Sequence, residues 1–248
     1  MKKMLTCLCS IVLSYSVCAQ IILAVDFNTD QHDVGIFSPT ESGFKPFNVD
    51  FTSNLSKYTM SYNIDSVYSD SKITITVQSD NGNLLTRDRL GLRSPLEDLF
   101  RDFIAPANDG AHLIIQIDGL SPKSIYKFVF FTYDNDSNVQ SDISTDIYLN
   151  TTGGSQPFAD HNIVRYGGGF QDPQDYQVIL YAISTETGHA SFEVEAMSGS
   201  KQGAPDLNAL IIEIPEPYSA FVTSVLCIFL YTRQKYNRGG KDEKTKTG

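Results

Sequence analysis

The run Asp134-Asn135-Asp136-Ser137-Asn138 follows an apolar stretch and offers oxygen side chains at alternate positions. Calcium takes about six to eight oxygen ligands, often from one flexible loop, so Asp134, Asp136 and Asn138 are candidate Ca²⁺ ligands. The rest of a calcium hand is missing. Val139 stands where the loop glycine belongs, and Thr145 where the closing glutamate belongs. An Asx turn, in which Asp and Asn bond their own backbone, has the same composition. Calcium is the only cofactor the sequence suggests.

A second set of residues suits sugars. Tyr133, Tyr166, Phe170 and Tyr176 supply aromatic faces, with Asp134, Arg165, Asp172 and Asp175 close by in sequence as polar partners. Aromatic faces stack on sugar rings, although the same residue types also build cores, and the chain has no Trp. The histidines His32, His112, His161 and His189 show no ligand spacing, so no zinc site is expected. No G-x-S-x-G elbow, phosphate loop or H-E-x-x-H helix occurs. Gly167-Gly168-Gly169 lacks the lysine and helix of a phosphate site and is expected to be a loop. Carboxylates are too numerous for any one pair to be singled out, so no catalytic residue is assigned and no enzyme is expected.

Cysteine and charge narrow the class. Cys7, Cys9 and Cys18 lie near the start and Cys227 near the end, so the region between has no thiol for a disulfide, a zinc thiolate or a nucleophile. From Gln20 to Ile214 there are 11 Lys and Arg against 26 Asp and Glu, a difference of −15. Such a domain repels nucleic acid, whose binding requires cations against phosphate. From Arg233 to Gly248 the balance reverses, with 6 basic residues against 2 acidic.

The elements that must hold these residues are strands. Runs of β-branched and aromatic residues, bounded by Gly, Pro, Asn and Asp, predict strands at Ile21–Phe27, Tyr58–Ile64, Lys72–Gln78, His112–Ile117, Ile125–Tyr133, Ile143–Leu149, Tyr176–Ile183, Ala190–Ala196 and Leu207–Ile214. In Lys72–Gln78 the alternation turns Ile73, Ile75 and Val77 to one face. From Pro95 to Ile104 the apolar positions 96, 99, 100, 103 and 104 have helical spacing, with Ser94 as N-cap and Pro95 at the first helical position. One helix of about two to three turns is predicted there, plugging one end of the fold. The fold class is all-β: an antiparallel two-sheet β-sandwich (jelly roll) with one short helix. A closed barrel is the alternative.

Both ends read as addresses. Lys2 and Lys3, the apolar Leu5–Val17 and the compact Val17-Cys18-Ala19 have the form of a signal peptide cut after Ala19. A lipoprotein reading of Cys18 is the alternative. At the other end, Tyr218–Thr232 carries no charge and is followed by Arg233, Lys235 and Arg238. A spanning helix needs about 20 residues, so this is a short transmembrane segment with its basic side in the cytoplasm.

Before that segment stands Pro215-Glu216-Pro217. The tripeptide, the apolar span and Arg233 together resemble the PEP-CTERM sorting signal of Gram-negative bacteria. The resemblance covers about 20 residues and implies processing by a membrane-embedded exosortase that reads Pro215, Glu216 and Pro217. Family tails end soon after the basic cluster, whereas this chain runs on to Gly248, which leaves a plain membrane anchor as the alternative. Three further segments resemble galactose-binding-like jelly rolls that precede such signals. They are Ala24-Val25-Asp26-Phe27 with Ser42–Phe47, Leu99–Ile104 leading to the Gly119-Leu120-Ser121-Pro122 turn, and Leu207-Asn208-Ala209-Leu210.

The expected organisation is 1–19 signal peptide, 20–214 β-sandwich ectodomain, 215–238 sorting and transmembrane segment, and 239–248 polar tail. The expected function is that of an exported, non-enzymatic β-sandwich at the cell surface or outer envelope, or secreted, and transiently anchored in the inner membrane. Its expected partners are an exosortase-type enzyme and extracellular polysaccharide, with no nucleic acid. The rivals are a carboxylate-dependent glycosidase or lyase, and a structural surface or biofilm-matrix protein.

Overall fold

The alternation in Lys72–Gln78 does the work expected of it: Ile73, Ile75 and Val77 are fully buried on one side of a strand. A computed structural model describes residues 20–31, 35–52, 54–64, 69–88, 96–133, 145–150, 155–159, 176–196 and 205–215. Its strands are β1 (Gln20–Thr29), β2 (Lys45–Val49), β3 (Lys57–Asn63), β4 (Ser69–Ser79), β5 (Leu84–Asp88), β6 (Asp102–Pro106) and β7 (Leu113–Leu120). They continue with β8 (Ile125–Phe131), β9 (Thr145–Asn150), β10 (Ser155–Ala159), β11 (Gln177–Ile183), β12 (Ala190–Ala196) and β13 (Ala209–Ile214). The helix α1 spans Glu97–Arg101.

Two main sheets form, in the orders β11-β8-β13-β1-β2 and β10-β9-β12-β7-β4-β3, and β5 pairs with β6 in a small third sheet. The chain passes between the two main sheets six times, after β2, β7, β8, β10, β11 and β12. The sheets share one hydrophobic core. Phe128 and Phe130 of β8 meet Phe192 of β12 across it, with ring centroids 4.7 and 5.0 Å apart. Over the described residues the protein is therefore a mostly-β, two-sheet sandwich with one short helix.

Three details depart from the sequence expectations. First, β1 and β2 run parallel, with Phe27 opposite Phe47, so the sandwich is not wholly antiparallel. Segment 30–44 supplies the crossover of about a dozen residues that a parallel pair requires. Second, the helix is only five residues long and its first residue follows Leu96, which makes no side-chain capping bond. The expected cap, Ser94, lies outside the described residues. Asp102, Phe103 and Ile104, expected to continue the helix, open strand β6, which is buried at every position. Pairing with β5 and a two-way bridge between Ile104 and Leu207, at 2.9 and 3.0 Å, satisfy backbone groups that a helix would have used locally. Third, β2, β5, β6 and β10 had no counterpart among the expected strands. Among the described residues no helix is long and apolar enough to cross a membrane, and the expected span at 215–238 lies beyond them but for Pro215.

The turn from β11 to β12 depends on a glycine. Gly188 has φ +72°, and a Cβ there would stand 2.0 Å from the Leu120 carbonyl oxygen. The Leu120 N–H in turn donates to the Gly188 carbonyl at 3.0 Å. Gly188→Ala is expected to cost about 2–4 kcal/mol, combining left-handed strain with a backbone clash. Urea denaturation measures it, and an unchanged midpoint would mean that the turn swings clear.

Candidate functional site

From Leu23 to Thr29 every residue of β1 is buried, so both faces of the strand are covered. Val25 and Phe27 face the core, and the alternate Asp26 and Asn28 are enclosed on the other side. Segment 38–41 covers them. The Glu41 N–H donates to Asp26 Oδ2 at 2.8 Å, and Asn28 Nδ2 donates to Thr40 Oγ1 at 2.6 Å. Asp102, at the start of β6, is also fully buried and accepts a hydrogen bond from the Ser38 hydroxyl at Oδ2. Asn208 ties three elements together: its Nδ2 donates to the Asp102 carbonyl and its Oδ1 accepts from the Tyr133 N–H, both at 2.6 Å.

These carboxyls are electrostatically unusual. Burial pushes Asp26 up to about 8; the Glu41 amide opposes the shift, while the charges of Glu41 and Asp98 add to it. Burial likewise pushes Asp102 up to about 8, with the Ser38 hydroxyl opposing and the charges of Asp88 and Asp26 adding. The second oxygen of each carboxyl, and the Asn28 carbonyl oxygen, are buried without a hydrogen-bond donor among the described residues. A charged oxygen in that state would carry the full penalty of desolvation, so protonation is the cheaper solution. Burial therefore favours the protonated form of both groups.

The six-stranded sheet turns a polar face away from the core. Thr59 and Ser61 of β3 stand opposite Thr76 and Thr74 of β4, with hydroxyl pairs at 3.0 and 2.8 Å. Thr76 is next to Gln116 of β7, and Gln116 is next to Ser191 of β12. The result is a row of hydroxyl and amide groups running across four strands, in which Thr59 and Ser61 are exposed, Thr74 and Gln116 half-buried, and Thr76 and Ser191 buried.

At one end of this face the fold gathers His112, just before β7, with Glu193 and Glu195 of β12. Their donor atoms all lie within 4.8 Å of one another. His112 Nδ1 is 2.5 Å from Glu193 Oε1 and 3.8 Å from Asp80 Oδ2; its Nε2 is 3.6 Å from Glu195 Oε2. The Asp80 carboxylate also accepts the His112 backbone N–H at 2.8 Å. Lower on the same two strands, His189 Nδ1 is 2.7 Å from Asp118 Oδ1.

Several residues expected from sequence to form sites lie elsewhere. Tyr133 and Tyr176 are buried, 4.5 Å apart, and each packs against Phe100 at 5.7 Å. They are core residues, and burial leaves them no face for a sugar; this corrects their assignment to a sugar platform. Tyr166 and Phe170, the calcium candidates Asp134, Asp136 and Asn138, and Glu216, Pro217 and Arg233 of the sorting signal lie outside the described residues. Pro215 follows the end of β13. The sequence reading missed His112, Glu193 and Glu195 as a group. The available signal was Glu-x-Glu on an alternating strand, which places both side chains on one face. It also missed Asp26 and Asp102, each a lone carboxylate inside an apolar run.

No protein-family model matches the chain, and no curated protein does. Solved structures give partial likenesses. The chain is 13% identical to the YxiM protein of Bacillus subtilis, covering 78% of this chain and 40% of that one, with a TM-score of 0.39. A family 35 carbohydrate-binding module of Clostridium thermocellum is 14% identical, with 62% of this chain and 90% of the module covered and a TM-score of 0.32. The ANXUR2 extracellular domain of Arabidopsis thaliana is 11% identical, with coverage of 79% and 49% and a TM-score of 0.43. The chain thus spans less than half of the first and last of these. The class that the fold itself defines is a two-sheet β-sandwich domain.

Proposed function

We propose that this chain is an exported, non-enzymatic β-sandwich that associates with extracellular polysaccharide and is delivered by a PEP-CTERM-like C-terminal signal. The observation that supports it is the set Thr59, Ser61, Thr74 and Gln116, exposed or half-buried on the outer face of three neighbouring strands. Hydroxyl and amide groups both donate and accept, as glycan hydroxyls do, and neighbouring strands offer them side by side to an extended chain. Asp26 and Asp102, whose proton affinity burial raises, are fully buried, out of reach of a glycosidic bond. That favours binding over hydrolysis.

Affinity electrophoresis tests the binding. Gels containing neutral or acidic glycans should retard the protein, and Thr74→Ala with Gln116→Ala should release it while leaving the melting temperature nearly unchanged. No retardation on any glycan would sink the reading. Delivery is tested separately with Glu216→Gln in a host that carries an exosortase. An enzyme that recognises the tripeptide should leave the variant unprocessed, whereas a plain anchor tolerates the change because hydrophobicity is unaltered. Equal size and equal membrane retention of the two proteins would identify an anchor.

A further inference from the structure

We propose that His112 and Glu195 bind a divalent transition-metal ion, with Glu193 as the positioning residue that orients the imidazole. This site is independent of the glycan reading. Glu193 and Glu195 are two residues apart on β12 and so share its outer face, while His112 stands beside β7, the neighbour of β12. The two ring nitrogens are differently engaged. Nδ1 is 2.5 Å from the Glu193 carboxylate, an acceptor for a proton on that nitrogen, and Nε2 faces Glu195 Oε2 at 3.6 Å, so that in the neutral ring the Nδ1–H tautomer turns its Nε2 lone pair toward Glu195. This is the arrangement of a metal-binding histidine, whose other N–H is held by a carboxylate.

The spacing fits a small ion. Two ligands on one tetrahedral zinc, each at about 2.0–2.1 Å, lie about 3.3 Å apart. Nε2 and Glu195 Oε2 are 3.6 Å apart, so a slight side-chain shift closes the site. Three carboxylates, those of Asp80, Glu193 and Glu195, surround one imidazole. Even a protonated ring leaves that cluster negative, and among the described residues neither Asp80 nor Glu195 pairs with a lysine or arginine. A divalent cation balances the charge. The imidazole nitrogen selects zinc, copper or nickel over calcium, which prefers oxygen alone. His112 and Glu195 are both partly exposed, so water can fill the remaining positions.

The test is calorimetric titration of full-length protein with Zn²⁺, its cysteines alkylated so that Cys7, Cys9, Cys18 and Cys227 do not compete. Saturable binding should weaken by about tenfold or more in Glu195→Gln and His112→Gln. It should weaken less in Glu193→Gln, whose amide oxygen still accepts the Nδ1 proton, and stay unchanged in His189→Gln. Imidazole ¹⁵N spectra of the unmutated protein give a second readout: zinc should move the Nε2 signal of one histidine and leave its Nδ1 protonated. Absence of saturable binding, wild-type affinity in Glu195→Gln, or a metal on Nδ1 would each overturn the proposal.

Discussion

Raising the pH from about 5 to 8 should destabilise this protein, by an amount set chiefly by Asp26 and Asp102. Each carboxyl has its proton affinity raised from 3.8 to about 8 in the fold. Below 3.8 the folded and unfolded chains are both protonated, and the stability that these groups contribute is fully present. Between 3.8 and about 8 the unfolded chain releases protons that the folded chain keeps, so stability falls as pH rises. Above about 8 the loss is complete. Each pH unit of displacement corresponds to about 1.4 kcal/mol, so one such carboxyl contributes on the order of several kcal/mol. The two do not add fully, because Asp102 senses the charge of Asp26.

Asp102→Asn separates this effect from general alkaline loss. The amide oxygen still accepts the Ser38 hydroxyl, while the group that must ionise is gone. The variant should lose much less stability than wild type between pH 5 and 8, and should be the more stable protein at pH 8. Asp26→Asn should behave alike, because its side-chain oxygen can accept the Glu41 N–H. Urea denaturation at the two pH values measures both. A flat wild-type profile, or asparagine variants weaker than wild type at pH 8, would show that the carboxyls are ionised in the fold.

The repeating part of this fold was legible because alternation is a local property. Ile73, Ile75 and Val77 read as one buried face from spacing alone, and they are one. The helix was misjudged because Phe103 and Ile104 fit a helical stripe and a buried strand equally well. Partners distant in sequence, β5 and Leu207, decided in favour of the strand. The same distance hid the polar clusters. His112 is 81 residues from Glu193, and Asp102 is 64 from Ser38, so no local spacing marks either contact. Tyr133 and Tyr176 failed as a sugar platform for a related reason. An aromatic at a strand end looks the same in sequence whether its face is open or, as here, covered by Phe100.

Phe192→Ala should be among the most damaging single substitutions in the core. Phe192 is fully buried on β12, with Ile115 of β7 on one side and Leu149 of β9 on the other in register. Its ring crosses the interior to Phe128 and Phe130 of the opposite sheet. Truncation removes its buried area and leaves a cavity that two hydrogen-bonded sheets cannot easily close. Phe-to-Ala changes at such sites cost about 3–5 kcal/mol. In a domain of this size each kcal/mol lowers the melting temperature by about 2–4 °C, so a fall of roughly 6–20 °C is expected. Phe192→Leu keeps most of the volume and loses the tilted ring contacts, worth about 0.5–1.5 kcal/mol each, so it should lie between the two. The order wild type, leucine, alanine in a thermal melt is the signature of one core filled from both sheets. If alanine melts within a few degrees of wild type, the sheets are not held together at this point, and the sandwich is stabilised elsewhere.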